Sequence, residues 1–200
     1  EVATGKVAPE AISKGNVRRM MVHDDTAINL LVAKHWPELK PASSQELQLK
    51  ISNYFEQLTG KPGDPYAGRV LFKQNCGKCH QLFGDGGNIG PDLTAFNRDD
   101  TLSMLNSVVD PSSEIREGFE NYTVLTEDGR VVTGFIADQD SQVLVLRNAE
   151  GQSISIEQEA IEDKKANEKS VMPEGLLDGL SESQVSDLFS FLRSSQPLNR

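Results

Sequence analysis

The stretch Cys76-Gly77-Lys78-Cys79-His80 decides how this sequence is interpreted, and we call it the pentapeptide. It contains both cysteines of the chain and one of its three histidines. Two thiols separated by two residues, with a histidine directly after the second, are the attachment pattern of a c-type haem. Each thiol bonds one vinyl group of the porphyrin, and the imidazole becomes an axial ligand of the iron. The pattern therefore predicts one covalently attached haem c, held by Cys76, Cys79 and His80.

Three other roles for these side chains are weaker. A zinc site needs about four ligands, and the remaining histidines, His23 and His35, lie far upstream without ligand-like spacing. A thioredoxin-type dithiol occurs beside a βαβ pattern and has no use for the histidine. A disulfide across so short a loop leaves His80 unexplained. Haem attachment is the interpretation that uses all three side chains.

Composition and charge limit the classes of function. The net charge of −10 argues against nucleic-acid binding, which needs a basic surface, and favours a neutral or basic protein partner. No apolar run approaches the ~18 residues of a membrane span, so no span is predicted. Covalent haem attachment normally takes place outside the cytoplasm. We therefore expect a periplasmic or otherwise exported protein that has lost its leader, or a piece of a longer exported protein.

Residues 1–63 are interpreted as a nearly neutral helical extension that ends in a linker. Apolar residues recur at helical spacing from Val17 to Met21 and from Ala27 to Trp36, and Asp24 or Asp25 is suited to cap the second helix. This region either packs on the main domain or is the end of a larger helical region.

A third helix is expected in the extension at about residues 45–58. Ser43 or Ser44 followed by Glu46 has the pattern of a capping box. The segment 59–65, with two glycines and two prolines, has the composition of a linker.

Residues 64–200 are expected to form the main domain. A short helix over Ala67–Gln74 precedes the pentapeptide, and a glycine-rich loop at 84–90 follows it. A histidine that binds a metal almost always donates its other ring N–H to a carbonyl or a carboxylate. Pro91 is suited to supply this carbonyl to His80, the alternative being an ordinary turn proline.

The periodicity changes after a further helix over Thr101–Val109, which stops at Asp110-Pro111. Residues of about 119–165 alternate as in strands, and they hold ten acidic and four basic side chains. We expect a small antiparallel sheet or barrel here, with a hairpin at the Asp-Gly pair of Glu127-Asp128-Gly129. The expected strands are Tyr122–Thr126, Arg130–Ile136, Val143–Leu146, Ser153–Ile156 and a short fifth at Ala160–Asp163.

Met172 is the candidate for the second axial ligand. A thioether opposite histidine is a usual ligand pair of c-type cytochromes. Of the four methionines, only Met172 is expected in a loop, stiffened by Pro173, before the last helix. The alternative is a packing methionine. Helices are expected over Glu174–Leu180 and, after a cap at Ser181, as far as about Ser194.

The chain resembles a class I c-type cytochrome. In that family the first and last helices cross through a glycine and an aromatic on one helix and an aromatic and a leucine on the other; Gly68, Phe72, Leu188 and Phe191 match these roles. The motifs occur in the family's order: Cys76-Gly77-Lys78-Cys79-His80, Gly90-Pro91-Asp92-Leu93, Met172-Pro173 and Asp187-Leu188-Phe189-Ser190-Phe191-Leu192.

The long span between Gly90-Pro91 and Met172 departs from the common pattern and is similar to a narrower family, the haem-binding domain of planctomycete and verrucomicrobial type. The similar stretches are Val109-Asp110-Pro111-Ser112, Thr126-Glu127-Asp128-Gly129-Arg130 and Ser170-Val171-Met172-Pro173-Glu174-Gly175-Leu176. In that family the domain is often the C-terminal end of a large secreted protein, after helical repeats and a dehydrogenase domain.

The resemblance implies a mainly α cytochrome c fold with an inserted β-sheet, α+β overall, and an N-terminal helical extension. It also implies one-electron transfer, rather than an enzyme activity, between redox partner proteins, one of which is a dehydrogenase domain fused in the full-length chain. Two alternatives stay open: a five-coordinate haem that binds small ligands or reduces peroxide, and a docking module that uses the β insertion.

Overall fold

A computed structural model describes residues 6–12, 17, 20, 25–37, 44–60 and 62–199. Within these residues the chain folds as an α+β protein, as expected. The expected helix from Val17 to Met21 and the candidate caps Asp24 and Ser43 lie wholly or partly outside the described residues. The α-helices are α1 (Thr26–His35), α2 (Ser44–Leu58), α3 (Pro65–Asn75), α4 (Thr101–Val109) and α5 (Glu182–Leu192).

The helix ends follow from local sequence. Asp25 caps α1 by accepting a hydrogen bond from the backbone N–H of Ile28, 2.9 Å away. Asp64 and Asp100 cap α3 and α4 in the same manner. Ser181 and Gln184 form the expected capping box of α5. The predicted bounds of these helices are therefore confirmed to within two residues.

The prediction of a helix over Glu174–Leu180 is wrong. The segment forms turns, with hydrogen bonds from Asp178 N–H to Gly175 O and from Leu180 N–H to Leu177 O. Gly175 has a φ of 72°, a left-handed conformation that interrupts an α-helix. Leu177 is nevertheless buried in the core, so the apolar spacing marked burial rather than helix.

Helices α3 and α5 pack across each other at very short range. A Cβ on Gly68 would lie 1.9 Å from Asp187 O and 2.8 Å from the Cβ of Phe191. Only glycine permits this approach between the two backbones. The rings of Phe72 and Phe191 lie beside the crossing, 5.4 Å apart between centroids, so the four positions expected at this crossing lie in or beside it.

The main hydrophobic core joins α2 to α3, α4 and α5. Leu47 and Ile51 of α2 belong to the same buried cluster as Phe72, Leu105 and Phe189. Polar contacts reinforce the packing: Gln57 Nε2 donates to Glu182 O, and Lys50 pairs with Asp178. Helix α2, on the N-terminal side of the linker, therefore shares its core with the helices on the other side. A separate small cluster contains Val17, Val32 and Trp36.

The linker is also bound to α5. Gly63 N–H donates to Ser190 Oγ at 2.9 Å, and Asp64 N–H donates to Asp187 Oδ1 at 2.7 Å. A Cβ on Gly63 would lie 2.3 Å from the backbone of Asp187. The glycine and the hydrogen bonds thus lead the chain from α2 directly into the crossing of α3 and α5.

The strands are β1 (Gln81–Leu82), β2 (Asp85–Gly86), β3 (Asn121–Thr126), β4 (Val131–Gln139), β5 (Val143–Arg147), β6 (Ser153–Glu157) and β7 (Ile161–Ala166). The β insertion is an open antiparallel sheet of five of them, in the order β6-β5-β4-β3-β7. The Asp-Gly hairpin predicted between β3 and β4 is confirmed, and Gly129 has a φ of 80° there. A two-stranded hairpin of β1 and β2 follows the pentapeptide and was not predicted.

The sheet has a hydrophobic cluster of its own. Val124, Leu144, Leu146 and Ile156 are buried on one face, as the alternation of their strands predicts. None of them belongs to the cluster of the helical core. The sheet and the helical region are therefore stabilised by separate sets of apolar contacts.

Candidate functional site

The pentapeptide forms a tight turn at the end of α3. Backbone N–H groups of Cys79 and His80 both donate to Cys76 O, at 3.0 and 2.9 Å. Cys76 and Gly77 N–H in turn donate to Phe72 O. The buried ring of Phe72 ties this part of α3 to the core. A rigid helix end thus carries both thiols and the imidazole.

The glycine-rich loop folds back onto the pentapeptide. Gly87 N–H donates to Gly77 O at 2.9 Å, and Gly90 N–H donates to Cys79 O at 2.8 Å. A Cβ on Gly87 would lie 2.2 Å from Lys78 O, and one on Gly90 would lie 2.7 Å from Cε1 of His80. Glycine is required at both positions because the backbone contacts the pentapeptide directly.

The imidazole of His80 is oriented by a backbone carbonyl. His80 Nδ1 lies 2.9 Å from Pro91 O. With a proton on Nδ1, the ring donates this hydrogen bond and directs its second nitrogen, Nε2, away from Pro91. Burial lowers the pKa of His80, and the bond to Pro91 opposes this only in part. The ring is therefore neutral near pH 7, as a metal ligand must be.

The Cys76 thiol differs from a nucleophilic redox thiol. Burial, together with the neighbouring Cys79, raises the pKa of Cys76 to about 12. A catalytic thiol needs a lowered pKa, because the thiolate is the nucleophile. Neither cysteine is in a disulfide. In the part of the chain that the structure describes, no three His, Cys, Asp or Glu side chains cluster to hold a metal ion. The raised pKa of Cys76 weakens the dithiol alternative.

The residues present fit haem c. Two thiols and a neutral imidazole lie on one turn, and Nδ1 of the imidazole is already hydrogen-bonded to Pro91 O. The backbone of Gly90 packs so closely on the imidazole ring that position 90 has no room for a side chain. Cys76, Cys79 and His80 would hold the group, and Pro91 would orient His80.

Ionic contacts tie the β1–β2 hairpin to α3. Lys73 Nζ and Arg69 Nη2 lie 2.9 and 3.0 Å from Asp85 Oδ2. Hydrogen bonds from Lys73 and Arg69 lower the pKa of Asp85. The two basic residues lie four apart on α3 and so share one face. These two ion pairs, which we call the Asp85 clamp, were not predicted, although the spacing of Arg69 and Lys73 on the helix was a signal for them.

Phe83 has an unusual backbone conformation at the tip of the same hairpin. Its φ is 55°, which is rare for a bulky residue. Its N–H donates to Thr94 Oγ1 at 2.8 Å, and the Arg98 guanidinium lies 5.0 Å from the ring centroid. These contacts hold a conformation that the local sequence does not favour.

Arg98 links the segment after the hairpin to the last helix. Its Nη1 donates to Leu192 O and Ser194 O, at 3.2 and 3.0 Å. These carbonyls lie at the C-terminal end of α5, where intrahelical partners run out. A cation is also favoured there by the helix dipole. Arg98 was not predicted, and nothing in its sequence neighbourhood marks it.

The sheet touches the glycine-rich loop through its β5–β6 hairpin. Arg147 Nη1 donates to Asn88 O at 3.3 Å. Gly151 lies in the turn of that hairpin, and a Cβ there would lie 3.5 Å from Cγ1 of Ile89. The insertion therefore contacts the loop two residues before Gly90, which packs on His80.

Met172 lies in the segment between β7 and α5 and is half-buried. Its N–H donates to Ser170 Oγ at 3.1 Å. The structure thus brings together Cys76, Cys79, His80 and Pro91, whereas Met172 belongs to a different segment. Its assignment to the iron stays a prediction.

Comparison with known families agrees with this site. A family model described as Cytochrome c matches residues 66–146, from α3 into β5. A search of the curated proteins found no match. The family match supports a c-type cytochrome domain in this part of the chain, and the cofactor of such a domain is covalently attached haem c. Met172 and α5 lie outside the matched residues.

Domains of this family are typically electron-transfer modules that exchange electrons with redox partners, and c-type cytochromes are generally exported. Among the residues described, no helix is long and apolar enough to cross a membrane.

Proposed function

We propose that this chain carries single electrons between redox partner proteins through one haem c with His80 and Met172 as axial ligands. The observation that carries the proposal is the 2.9 Å contact between His80 Nδ1 and Pro91 O, within a loop that folds over the turn bearing both thiols. A hydrogen bond at one ring nitrogen leaves the other for iron and raises its basicity. The family match at residues 66–146 supports the same function.

The residues around the site have separate roles in this proposal. Cys76 and Cys79 bind haem c covalently, so it cannot dissociate during turnover. Pro91 keeps the His80 ring in one orientation, and burial keeps it neutral. When bound, haem c supplies a one-electron couple between ferrous and ferric iron. A fixed ligand pair favours electron transfer, because little needs to move when the charge changes.

Met172 is proposed as the sixth ligand because of where the methionines lie. Met104 lies within α4 and packs against the helical core, and Met20 is exposed near the N-terminus. Met21 lies outside the described residues. Met172 lies in a half-buried loop next to Pro173. A thioether ligand raises the reduction potential and leaves no open iron position for a substrate.

We also propose the finer assignments that the resemblance implies. The main unit comprises residues 64–200, with the preceding helices as an extension that packs on it through α2. It acts outside the cytoplasm as the electron-accepting C-terminal domain of a larger protein of planctomycete and verrucomicrobial type. A fused dehydrogenase domain would be its electron donor.

Ligand binding to the haem-loaded protein tests the proposal against a five-coordinate enzyme or sensor. Ferrous wild-type protein should bind carbon monoxide slowly or not at all at neutral pH, whereas Met172→Ala should bind it rapidly. Met172→Ala should also lose the long-wavelength absorption band that methionine sulfur gives to ferric haem. Met20→Ala is the matched control and should behave as wild type. Rapid carbon monoxide binding by the wild type would overturn the assignment of Met172.

Docking through the sheet is a second candidate function, favoured by two observations. The sheet has its own hydrophobic cluster, and the region 118–165 carries a net charge of −6 from ten acidic and four basic residues. Such a surface would attract a basic partner. Replacing the exposed acids Glu159, Glu162 and Asp163 with amides should slow electron exchange with a cationic metal complex and not with an anionic one. An unchanged rate of exchange between the variant and the cationic complex would count against docking.

A further inference from the structure

We propose that Ser112 and Ser170 are positioning residues for Met172, and that the two segments flanking the β insertion meet at these serines to hold the methionine segment. The inference rests on the proposed role of Met172 as an axial ligand. It assigns to the insertion a role inside the haem site, in addition to any role on its surface.

Two consecutive hydrogen bonds connect the three residues. Ser170 N–H donates to Ser112 Oγ at 3.1 Å, and Met172 N–H donates to Ser170 Oγ at 3.1 Å. All three residues are half-buried. Since buried or half-buried amides need partners, each hydroxyl fixes the backbone of the next residue in the series.

The series begins on a rigid part of the core. Ser112 follows Pro111, which is buried at the end of α4. Leu105 and Val109 of that helix belong to the main hydrophobic cluster. The adjacent turn is closed by a hydrogen bond from Ser113 N–H to Asp110 O at 3.1 Å. The Ser112 hydroxyl is therefore held in position by α4.

The sheet brings the other end of the series to the same place. Strand β7 pairs with β3, the first strand of the insertion. Beyond the paired residues, Asn167 N–H donates to Asn121 O at 2.7 Å, and the Asn167 side chain contacts Thr123 Oγ1 at 3.0 Å. Ser170 follows Asn167 by three residues. The contacts of Asn167 with β3 therefore place Ser170 close to Ser112. The pairing thus bears much of the entropic cost of joining residues that are far apart in sequence.

The physical effect is preorganisation of a weak ligand. Iron also accepts imidazole nitrogen, so added imidazole competes with the methionine sulfur for one coordination position. Holding the Met172 backbone in one conformation lowers the entropy lost when the sulfur binds. Loss of either serine hydroxyl should leave Cys76, Cys79 and His80 unchanged and weaken only the methionine side.

The experiment titrates imidazole into the ferric haem-loaded protein and follows the absorption spectrum. Ser112→Ala and Ser170→Ala should each bind imidazole about five-fold more tightly than wild type, the factor that corresponds to one typical net hydrogen bond. Ser112→Thr keeps the hydroxyl and should restore the wild-type affinity. Ser107→Ala, at an exposed serine of α4, is the control and should leave the affinity unchanged.

Met172→Ala separates the two proposals. If it leaves imidazole affinity at the wild-type value, Met172 is not the ligand and the proposed function fails. If it raises the affinity strongly while Ser112→Ala and Ser170→Ala match Ser107→Ala, the ligand stands and the serine inference is overturned. Should Ser112→Ala fail to fold, Ser170→Ala decides by the same criterion.

Discussion

The helical region around the pentapeptide and the five-stranded sheet are built by different means. In the helical region single residues decide the arrangement: Gly68 lets two backbones touch, and Pro91 supplies one carbonyl to His80. In the sheet a repeated alternation decides it, and Val124, Leu144 and Ile156 are members of one apolar face. The helical region therefore depends on individual close contacts, whereas the buried face of the sheet depends on a repeated pattern.

This difference predicts which substitutions should affect the haem site. The two regions have separate hydrophobic clusters, and the polar contacts between them include the Ser112–Ser170 and Arg147–Asn88 hydrogen bonds. We expect damage to the helical core to reach the haem site. Damage to strands of the sheet other than β3 and β7 should stay largely within the sheet. The substitutions below test this expectation.

Gly68→Ala should have the largest effect. The new Cβ would lie 1.9 Å from Asp187 O, so α3 and α5 must separate, and Phe72 no longer packs tightly on Phe191. We expect the free energy of unfolding to fall by about 3 kcal/mol or more, because overpacking at the crossing also loosens the core around it. Denaturant unfolding measures it. Gly179→Ala is the control, because a Cβ there meets nothing within 4 Å; equal losses of stability for both would contradict the close crossing.

Leu105→Ala and Leu144→Ala form a matched pair, since both side chains are fully buried, one in each region. Each substitution should lower the free energy of unfolding of its own region by about 3 kcal/mol. Leu105→Ala should also change the haem absorption spectrum and speed hydrogen exchange around the pentapeptide. Leu144→Ala should speed exchange in the sheet and leave the spectrum alone. A changed spectrum in Leu144→Ala would show that damage in β5 reaches the haem site.

Asp85→Asn should have a smaller effect that depends on pH. Hydrogen bonds from Lys73 and Arg69 lower the pKa of Asp85 in the folded chain, so its ionised form stabilises the fold above the unfolded pKa of about 4. The contribution is lost as pH falls through the lower, folded pKa. At pH 7 the variant should be less stable by less than about 1 kcal/mol, since the pair is exposed. The deficit should shrink below pH 4 in thermal unfolding. A deficit that does not vary with pH would mean that the ion pairs contribute nothing.

Arg147→Gln should have the smallest effect. It removes the 3.3 Å hydrogen bond to Asn88 O, at a cost of about 0.5 kcal/mol. Amide exchange of residues 87–90 should rise a few-fold, and exchange in β3 and β4 should not change. Unchanged exchange in the loop would show that the hairpin rests on it without restraining it.

Much of the fold could be predicted because its signals are local. Asp25, Asp64 and Ser181 cap helices through atoms two or three residues away, and Asp128-Gly129 turns a hairpin through its own backbone preferences. Glu174–Leu180 was misjudged because its apolar residues fit a helix while Gly175 adopts a left-handed conformation. The β1–β2 hairpin was missed because Phe83 takes a positive φ, supported by the distant residues Thr94 and Arg98.

The covalent chemistry proposed for this protein can be inferred from its sequence alone. Two cysteines and a histidine at fixed spacing specify haem attachment, because the reactive groups are neighbours in the chain. The groups around these residues become apparent only in the folded chain. They include Gly90 packed on the imidazole, the Asp85 clamp, and Ser112 and Ser170 near Met172. Such contacts join residues up to 58 positions apart, as in Ser112 and Ser170. No local preference encodes them, because they exist only when separate elements pack together.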